Sequence, residues 1–377
     1  MFLNLALASL ALLSLALTLW QWLAARRFPL HQRAALGTDQ PPVTLLKPLK
    51  GCDAETSECL RSWLRQDYNG PIQILFGVAS DADPVCGLVR QVMAEHPKRD
   101  ARLVFFEERP GPNGKVSTLI QLERLARHEI ICVSDADVWA PPDLLANVVG
   151  PLADPGVGLV RCLYRLAGPS SLATRWEAFA NNADFWSQVL QAQSLKPLDF
   201  ALGAAMTTNR RHLKQLGGFN ALADYLADDY QLGNRLAQNG ARLVLSPVVV
   251  ECRSAPTTWA GAWRHQLRWA RTIRFCKPLP FFFSILSNGT VWPALWALWH
   301  PNGAVLGAAS LCLAVRIATA CSHEWKLTGQ MAFSALWLAP FKDVLHLVLW
   351  ALSFLGRRVT WRGERFRVKK GGRLVRV

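Results

Sequence analysis

From Phe2 to Ala24 the chain carries no charged residue, and most of that stretch is Leu and Ala. A helix satisfies its own backbone hydrogen bonds, and about 20 apolar residues cross the hydrocarbon core of a bilayer. The stretch therefore predicts a transmembrane helix over residues 1–25. A cleaved signal peptide would place bases before the apolar run, whereas here Arg26, Arg27 and Arg33 come after it. By the positive-inside rule those arginines put the downstream chain in the cytoplasm. Residues 26–41 read as a polar linker leading to the next segment.

The second apolar concentration lies at the other end. Residues 279–356 form a C-terminal membrane region, with spans predicted over 304–321 and 333–355. Pro280 to Trp299 is interrupted by Ser284, Asn288, Gly289 and Pro293, so it is predicted to be kinked, re-entrant or interfacial. Arg316, Lys342 and Asp343 fall inside the predicted spans, where charges are expected to face a polar cavity or one another. Residues 357–377 are a densely basic tail, expected in the cytoplasm. That requires an even number of crossings after the soluble part.

Lys and Arg number 42 against 27 Asp and Glu, a net charge of +15. The bases crowd beside apolar segments and form no helical stripe interleaved with aromatics, so they point to lipid surface and topology and away from nucleic acid. The nine cysteines include no C-x-x-C pair. They read as reduced residues, with no zinc site or disulfide framework.

Between the membrane segments, residues 42–255 alternate strand and helix, the pattern of a mostly parallel sheet covered on both faces. Strands are expected at 43–46, 72–79, 102–106, 130–134, 158–163 and 242–250. Helices are expected at 55–66, 85–95, 116–126, 172–193 and 229–238. The central strand Ile130-Ile131-Cys132-Val133-Ser134 ends in Asp135-Ala136-Asp137. Carboxylates at the carboxyl end of a parallel strand lie where open α/β sheets bind ligands. Two of them facing one volume call for a cation, for which a hard divalent ion shared with a substrate's phosphates is the simplest occupant. An isolated Asp-x-Asp is otherwise an ordinary surface turn.

Three further groups are candidates for the same site, and the first lies on the same rim if its strand neighbours the central one in a parallel sheet. Asp81 and Asp83 close the second strand. Either could accept hydrogen bonds from a nucleobase, and Asp83 before Pro84 is equally a helix cap. Gly111-Pro112-Asn113-Gly114-Lys115 opens a helix whose N–H groups and Lys115 could meet a phosphate, although the same residues make a good turn. In Tyr225-Leu226-Ala227-Asp228-Asp229, Asp228 occupies an N-cap position and Asp229 the first helical turn, where the helix dipole would keep it ionised as a general base. Residues 256–278 come next, with Arg264-His265-Gln266-Leu267-Arg268-Trp269. They are predicted to form an interfacial amphipathic helix that could also close an active site.

Taken in order, Leu45 to Gly51, Asp81/Asp83, Gly111 to Lys115, Ser134 to Asp137, Ala227 to Tyr230 and Arg268-Trp269 resemble the ceramide glucosyltransferases and their bacterial relatives, glycosyltransferase family 21. The hopanoid-biosynthesis-associated glycosyltransferase looks closest. The resemblance runs from residue 1 to the basic tail. It implies a GT-A fold, Rossmann-like, with N-terminal and C-terminal transmembrane helices and an active site facing the cytoplasm. It implies Asp81 or Asp83 near the uridine and Asp135 and Asp137 near diphosphate and metal. Asp229 matches the family's base, and Arg268 with Trp269 ends the Q/R-x-x-R-W motif. The first motif position is His265, so the polar contact falls to His265, Gln266 or Arg264.

These observations predict an inverting transferase in the inner (plasma) membrane that uses Mg²⁺ or Mn²⁺. It would move a hexose from a UDP-sugar to a lipid hydroxyl, on a hopanoid polyol or a ceramide. Asp229, Arg268 and Trp269 would be catalytic, and Asp81, Asp83, Lys115, Asp135, Asp228, His265 and Gln266 would bind substrate. A processive polysaccharide synthase, a polyprenyl-phosphate glycosyltransferase and a non-catalytic scaffold binding anionic lipid are the competing classes. Nothing in the sequence sets an oligomeric state.

Overall fold

β1 (Val43–Pro48), β2 (Ile72–Val78) and β4 (Ile130–Ser134) are buried along their whole length. Such strands need cover on both faces, and the alternation of their side chains decides which cover each face meets. Leu45, Ile74, Phe76 and Cys132 point into one core with Leu60, Trp63, Val85 and Val89 of helices Thr56–Leu64 and Val85–Ala94. Leu46, Leu75, Ile131 and Val133 point into the other, with Leu119 and Leu122 of helix Gly114–Leu125 and Leu232 and Leu236 of helix Asp228–Gln238.

The computed structural model describes residues 1–34, 40–168, 171–255, 257–330, 333–361 and 363–376. Residues 35–39 of the expected linker, Pro256 at the head of the expected interfacial segment and Arg362 of the basic tail lie outside the described residues. The chain forms two compact units. One comprises residues 1–30, 169–196 and 256–360, the other 31–168, 197–255 and 361–377.

In the second unit eight strands run in the order β3-β2-β1-β4-β7-β6-β8-β5. The remaining strands are β3 (Asp100–Phe105), β5 (Val138–Trp139), β6 (Val157–Leu166), β7 (Ala205–Asn209) and β8 (Arg242–Cys252). Pairing is parallel through β3-β2-β1-β4 and between β6 and β8. It is antiparallel where β7 joins β4 and β6 and where β5 joins β8. β7 and β5 are absent from the sequence expectation. β7 reads Ala-Met-Thr-Thr-Asn and β5 is two residues long, so neither offers the apolar run that marks a strand. Because β7 runs against β4, with Ser134 opposite Ala205, residues 197–204 arrive at the rim where β4 ends.

The basic tail contains strands that its composition does not announce. Glu364–Val368 pairs antiparallel with Leu374–Arg376. Phe366, Val368 and Leu374 are buried, while Arg365, Arg367, Lys369 and Lys370 face outward. Residues 363–376 therefore belong to the folded second unit. Alternating apolar residues at 366 and 368, masked by the density of bases, account for it.

The first unit contains three helices long and apolar enough to cross a membrane: Phe2–Arg27, Gly303–Thr328 and Ala335–Phe354. Pro278–Ser287 and Val291–Trp299 meet at a bend of 52°, the build of a broken span or a re-entrant loop. Residues 169–196, which the strand–helix alternation groups with the sheet, lie in this unit instead. Within them, Leu172 to Leu195 form one long helical stretch with a π turn over Ala180–Phe185. Arg316, Lys342 and Asp343 do face one another, as expected, and Asp184 of the π turn completes the group. Arg316 Nε donates to Asp343 Oδ2 at 2.8 Å, Arg316 Nη2 to Asp184 Oδ2 at 2.8 Å, and Lys342 Nζ pairs with Asp343 Oδ1 at 2.8 Å and with Asp184.

Candidate active site

The carboxyl ends of β1 and β4 lie side by side, and the loops that leave these strands build the rim. Lys47, near the end of β1, is fully buried. Its Nζ donates to Ser134 Oγ at 3.3 Å and to the carbonyl of Asp135. Burial pulls this ammonium down to about 8, against the opposing pull of Asp137 and Asp135. The sequence pattern assigns Lys47 no role. A lysine closing an otherwise apolar buried strand is the available signal, because such a charge needs a partner at the strand's end.

Asp135 leaves β4 with its side chain turned to Lys115, whose Nζ is 2.7 Å from Asp135 Oδ1 and 3.1 Å from Asp228 Oδ2. Burial by itself would lower the Lys115 pKa; the carboxylates of Asp135, Asp228 and Asp229 more than reverse this and hold it above the usual lysine range. Lys115 reaches this position because Asn113 starts its helix. Asn113 Oδ1 accepts from Val116 N at 3.1 Å, its Nδ2 donates to the Tyr225 carbonyl at 2.7 Å, and its N–H donates to the Ala223 carbonyl at 3.1 Å. The expected cradle of free helix N–H groups is thus partly closed by Asn113. Gly111 is required at this crossing, since a Cβ there would sit 2.6 Å from Ala223 Cβ.

Asp228 is the first residue of its helix and Ala227 holds the cap position with no side-chain bond. The carboxylate expected to cap the helix is instead committed to Lys115. Asp229 is next, its Oδ1 accepting from Tyr230 N at 2.7 Å and its Oδ2 close against Gly203, where a Cβ would lie 3.0 Å away. Burial, then the neighbouring Asp228 charge, raise its pKa to about 6, with Lys115 and the Tyr230 N–H resisting. The dipole effect anticipated from sequence is outweighed by these two influences. The carboxylate is therefore more basic than that of an ordinary aspartate.

Asp83 and Asp81 separate cleanly. Asp83 accepts from Gly51 N at 3.0 Å and from Val85 N at 3.0 Å, so its carboxylate starts a helix and holds the turn after β1. Asp81 is exposed, with no hydrogen bond or ion pair among the described residues.

Asp135 and the exposed Asp137 are hard oxygen donors one residue apart on the loop after β4, and Asp137 is kept there by Arg253 N, which donates to its carbonyl at 2.8 Å. Among the described residues no third His, Cys, Asp or Glu joins them as a metal-holding group. Mg²⁺-like ions are held by one or two carboxylates plus substrate phosphates and water, so this donor set fits such an ion in company with a diphosphate.

In the first unit, helix Trp259–Cys276 carries the expected motif. Glu177, only 8% exposed, accepts from Gln266 Nε2 at 3.2 Å and is hydrogen-bonded to His265 Nδ1. His265 lies 4.8 Å from the Trp269 ring, which also meets Phe185 at 6.3 Å. One buried carboxylate therefore orders two of the three candidates for the motif's polar position, His265 and Gln266. Glu177 is not marked by the sequence, because it sits in an aromatic helix far away in the chain.

The profile of "Glycosyl transferase family 21" matches residues 6–374. Ceramide glucosyltransferase 1 of Caenorhabditis elegans is 20% identical over 92% of this chain and 76% of its own length. The ceramide glucosyltransferase of Candida albicans is 34% identical over 28% of this chain and 22% of its own length, so that match spans well under two thirds of the yeast protein. Among solved structures, a mannosyltransferase from Pyrobaculum calidifontis in complex with GDP-Man and Mn²⁺ superposes with a TM-score of 0.56 at 23% identity, over 94% of this chain and 99% of that one. That likeness bears on the fold, which is of the GT-A type with apolar helices at both ends.

Proposed function

Because the chain belongs to glycosyl transferase family 21, we propose that it is a membrane-bound inverting enzyme that moves a hexose from a UDP-sugar to the hydroxyl of a lipid. That it transfers sugar derives from the family; donor, acceptor and residue roles are our reading. The observation that carries it is the Asp229 carboxylate, pushed to about 6 beside the Asp228–Lys115–Asp135 cluster at the carboxyl rim of the sheet.

A lipid alcohol is a weak nucleophile. Asp229 accepts its proton as the oxygen bonds to the anomeric carbon from the face opposite the leaving UDP, so the stereocentre inverts in one step. A pKa of about 6 suits this task at neutral pH, since the group is ionised yet more basic than an ordinary aspartate. Asp81 contacts the uridine, its carboxylate being uncommitted, while Asp83 shapes the turn beside it. Asp135 and Asp137 would hold Mg²⁺ or Mn²⁺ with the diphosphate; when bound, the ion stabilises negative charge on the leaving group. Lys115 supplies fixed positive charge near the same oxygens. From the resemblance, Arg268 also neutralises the diphosphate and Trp269 stacks on sugar or acceptor. Glu177 keeps His265 and Gln266 in place for the motif's polar contact.

The relatives' names support glucose and ceramide, and the motif context supports N-acetylglucosamine and a hopanoid polyol. The catalytic unit faces the cytoplasm at the inner (plasma) membrane, in keeping with the bases after the first apolar helix. The test is mass spectrometry of lipids from a host expressing the chain, with each acceptor pathway present or deleted. A new hexosyl lipid that disappears in the Asp229→Asn variant supports the proposal. A long polymer would replace it with a processive synthase, and an unaltered lipid profile with UDP-sugar supplied would rule it out.

A further inference from the structure

The C-terminal segment touches two of the loops that build the cluster, the one that leads into Lys115 and the one that leads into Asp228. Glu364 forms a two-pronged pair with Arg109, at 2.6 and 2.8 Å, and Arg109 Nη2 also donates to the Pro112 carbonyl at 2.8 Å, just ahead of Lys115. At the far end of the segment, Leu226 N donates to the Gly372 carbonyl at 3.0 Å and Leu374 N to the Asp224 carbonyl at 2.7 Å. Gln231 Nε2 donates to the Gly371 carbonyl at 3.1 Å, and Arg373 pairs with Asp224 at 2.7 Å. Residues 224–226 and 231 flank Asp228 and Asp229 on either side. The carbonyls at 371 and 372 point to these partners because both glycines adopt left-handed backbone, φ 74 and 84.

We propose that residues 364–376 are a positioning strap, which ties the Arg109–Lys115 loop and the Asp224–Gln231 turn to one another and so sets the spacing of Lys115, Asp228 and Asp229. None of its residues is offered as catalytic. Its exposed ion pairs contribute little to stability, because solvent screens them. Their effect lies in geometry: a carboxylate that must meet a hydroxyl within hydrogen-bond reach loses rate steeply when displaced. The inference rests on the proposed role of Asp229 and adds the element that holds it.

Gly371 gives a clean perturbation, because nothing lies within 4 Å of where its Cβ would be. Gly371→Val therefore changes the backbone preference, and its Cβ meets no neighbour. Asn tolerates left-handed φ, so Gly371→Asn is the conservative partner. The full chain in lipid nanodiscs is assayed for transfer and for amide hydrogen exchange. Expected for Gly371→Val are faster exchange at Leu226 and Leu374, kcat lower by about tenfold, and little change in KM for the UDP-sugar. Gly371→Asn is expected to keep wild-type exchange and rate. Wild-type kcat in Gly371→Val, or equal loss in both variants, overturns the strap. Asp229→Asn run in parallel separates the two claims: if it transfers normally the base assignment fails, while the exchange data still judge the strap.

Discussion

Lys115 Nζ lies 2.7 Å from Asp135 Oδ1, although one side chain comes from a helix start and the other from the end of the central strand. The same ammonium reaches Asp228 at 3.1 Å, so one buried cation holds together carboxylates from two distant parts of the chain. That cation makes a dense acidic rim compatible with folding before any substrate arrives.

Lys115→Met removes it while keeping a long side chain. Two carboxylates then face each other unpaired, a loss of about 2–4 kcal/mol after allowing for the partial exposure of Asp135. Thermal melting should fall and UDP-sugar binding weaken in titration calorimetry. Lys115 also resists the upward shift of Asp229, so the midpoint of the pH–rate profile should move above pH 6.

Asp229→Asn should lower kcat by at least about 100-fold while UDP-sugar binding persists. In the wild type, transfer should rise with pH through about 6 and then level off, because the base must be ionised. Stability runs the other way. The folded-state pKa is raised above the unfolded value near about 4, so this group's favourable contribution is complete below about pH 4 and lost as pH rises through 6. The asparagine variant should consequently melt higher than wild type at about pH 7.5, by the equivalent of about 1–2 kcal/mol. An unchanged or lower melting temperature would remove the electrostatic argument for Asp229.

Much of this site could be read from the sequence because parallel sheets announce their carboxyl ends. Ile130 to Ser134 is a plain apolar run, and Asp135 and Asp137 stand where it stops. What stayed hidden depends on side chains meeting across the chain. Asp228 looks like a helix cap by position, yet an ammonium far earlier in the chain claims its carboxylate. The sequence offers Asp81 and Asp83 alike as the uridine contact, with a helix-cap alternative for Asp83, and hydrogen bonds from Gly51 and Val85 commit Asp83 to the turn. The strand pair within the basic tail is hidden because composition outweighs a short alternation such as Phe366 and Val368, and β7 is invisible because threonines carry no core signal. Glu177 has no local mark at all.

Divalent ion dependence should track the carboxylates after β4. Chelation is expected to abolish transfer, with Mg²⁺ or Mn²⁺ restoring it. Because the ion would share its shell with the diphosphate, Mn²⁺ should bind weakly alone and more tightly with UDP present, as read by electron paramagnetic resonance. Asp137→Asn should diminish that UDP-dependent signal. A full signal in this variant would move the ion elsewhere.

Glu177→Gln keeps the size of the side chain but gives up a charged acceptor shared by His265 and Gln266. Hydrogen bonds to charged groups are worth about 1.5–3 kcal/mol, so a loss felt in the transition state lowers kcat by about tenfold or more. If the two residues merely pack, kcat will hold and only melting will change. Steady-state kinetics beside a melting curve distinguishes the cases.

Arg316 and Asp343 test the first unit. They are 5% and 2% exposed, paired at 2.8 Å, and joined by Lys342 and Asp184 into a group of two positive and two negative charges. Desolvating four charges is expensive, and their mutual attraction compensates only while the set is complete. Asp343→Leu strands Arg316 and Lys342 with one carboxylate between them and should cost about 3–5 kcal/mol, seen as early melting in detergent. Arg316→Met should cost a similar amount for the opposite reason. The double variant Arg316→Met with Asp343→Leu restores neutrality through the remaining Lys342–Asp184 pair, so its loss should be well below the sum of the two singles, a coupling of about 1–3 kcal/mol. Strict additivity would mean that these charges act independently. The geometry argues otherwise, because Arg316 bonds both carboxylates and Lys342 contacts the same two.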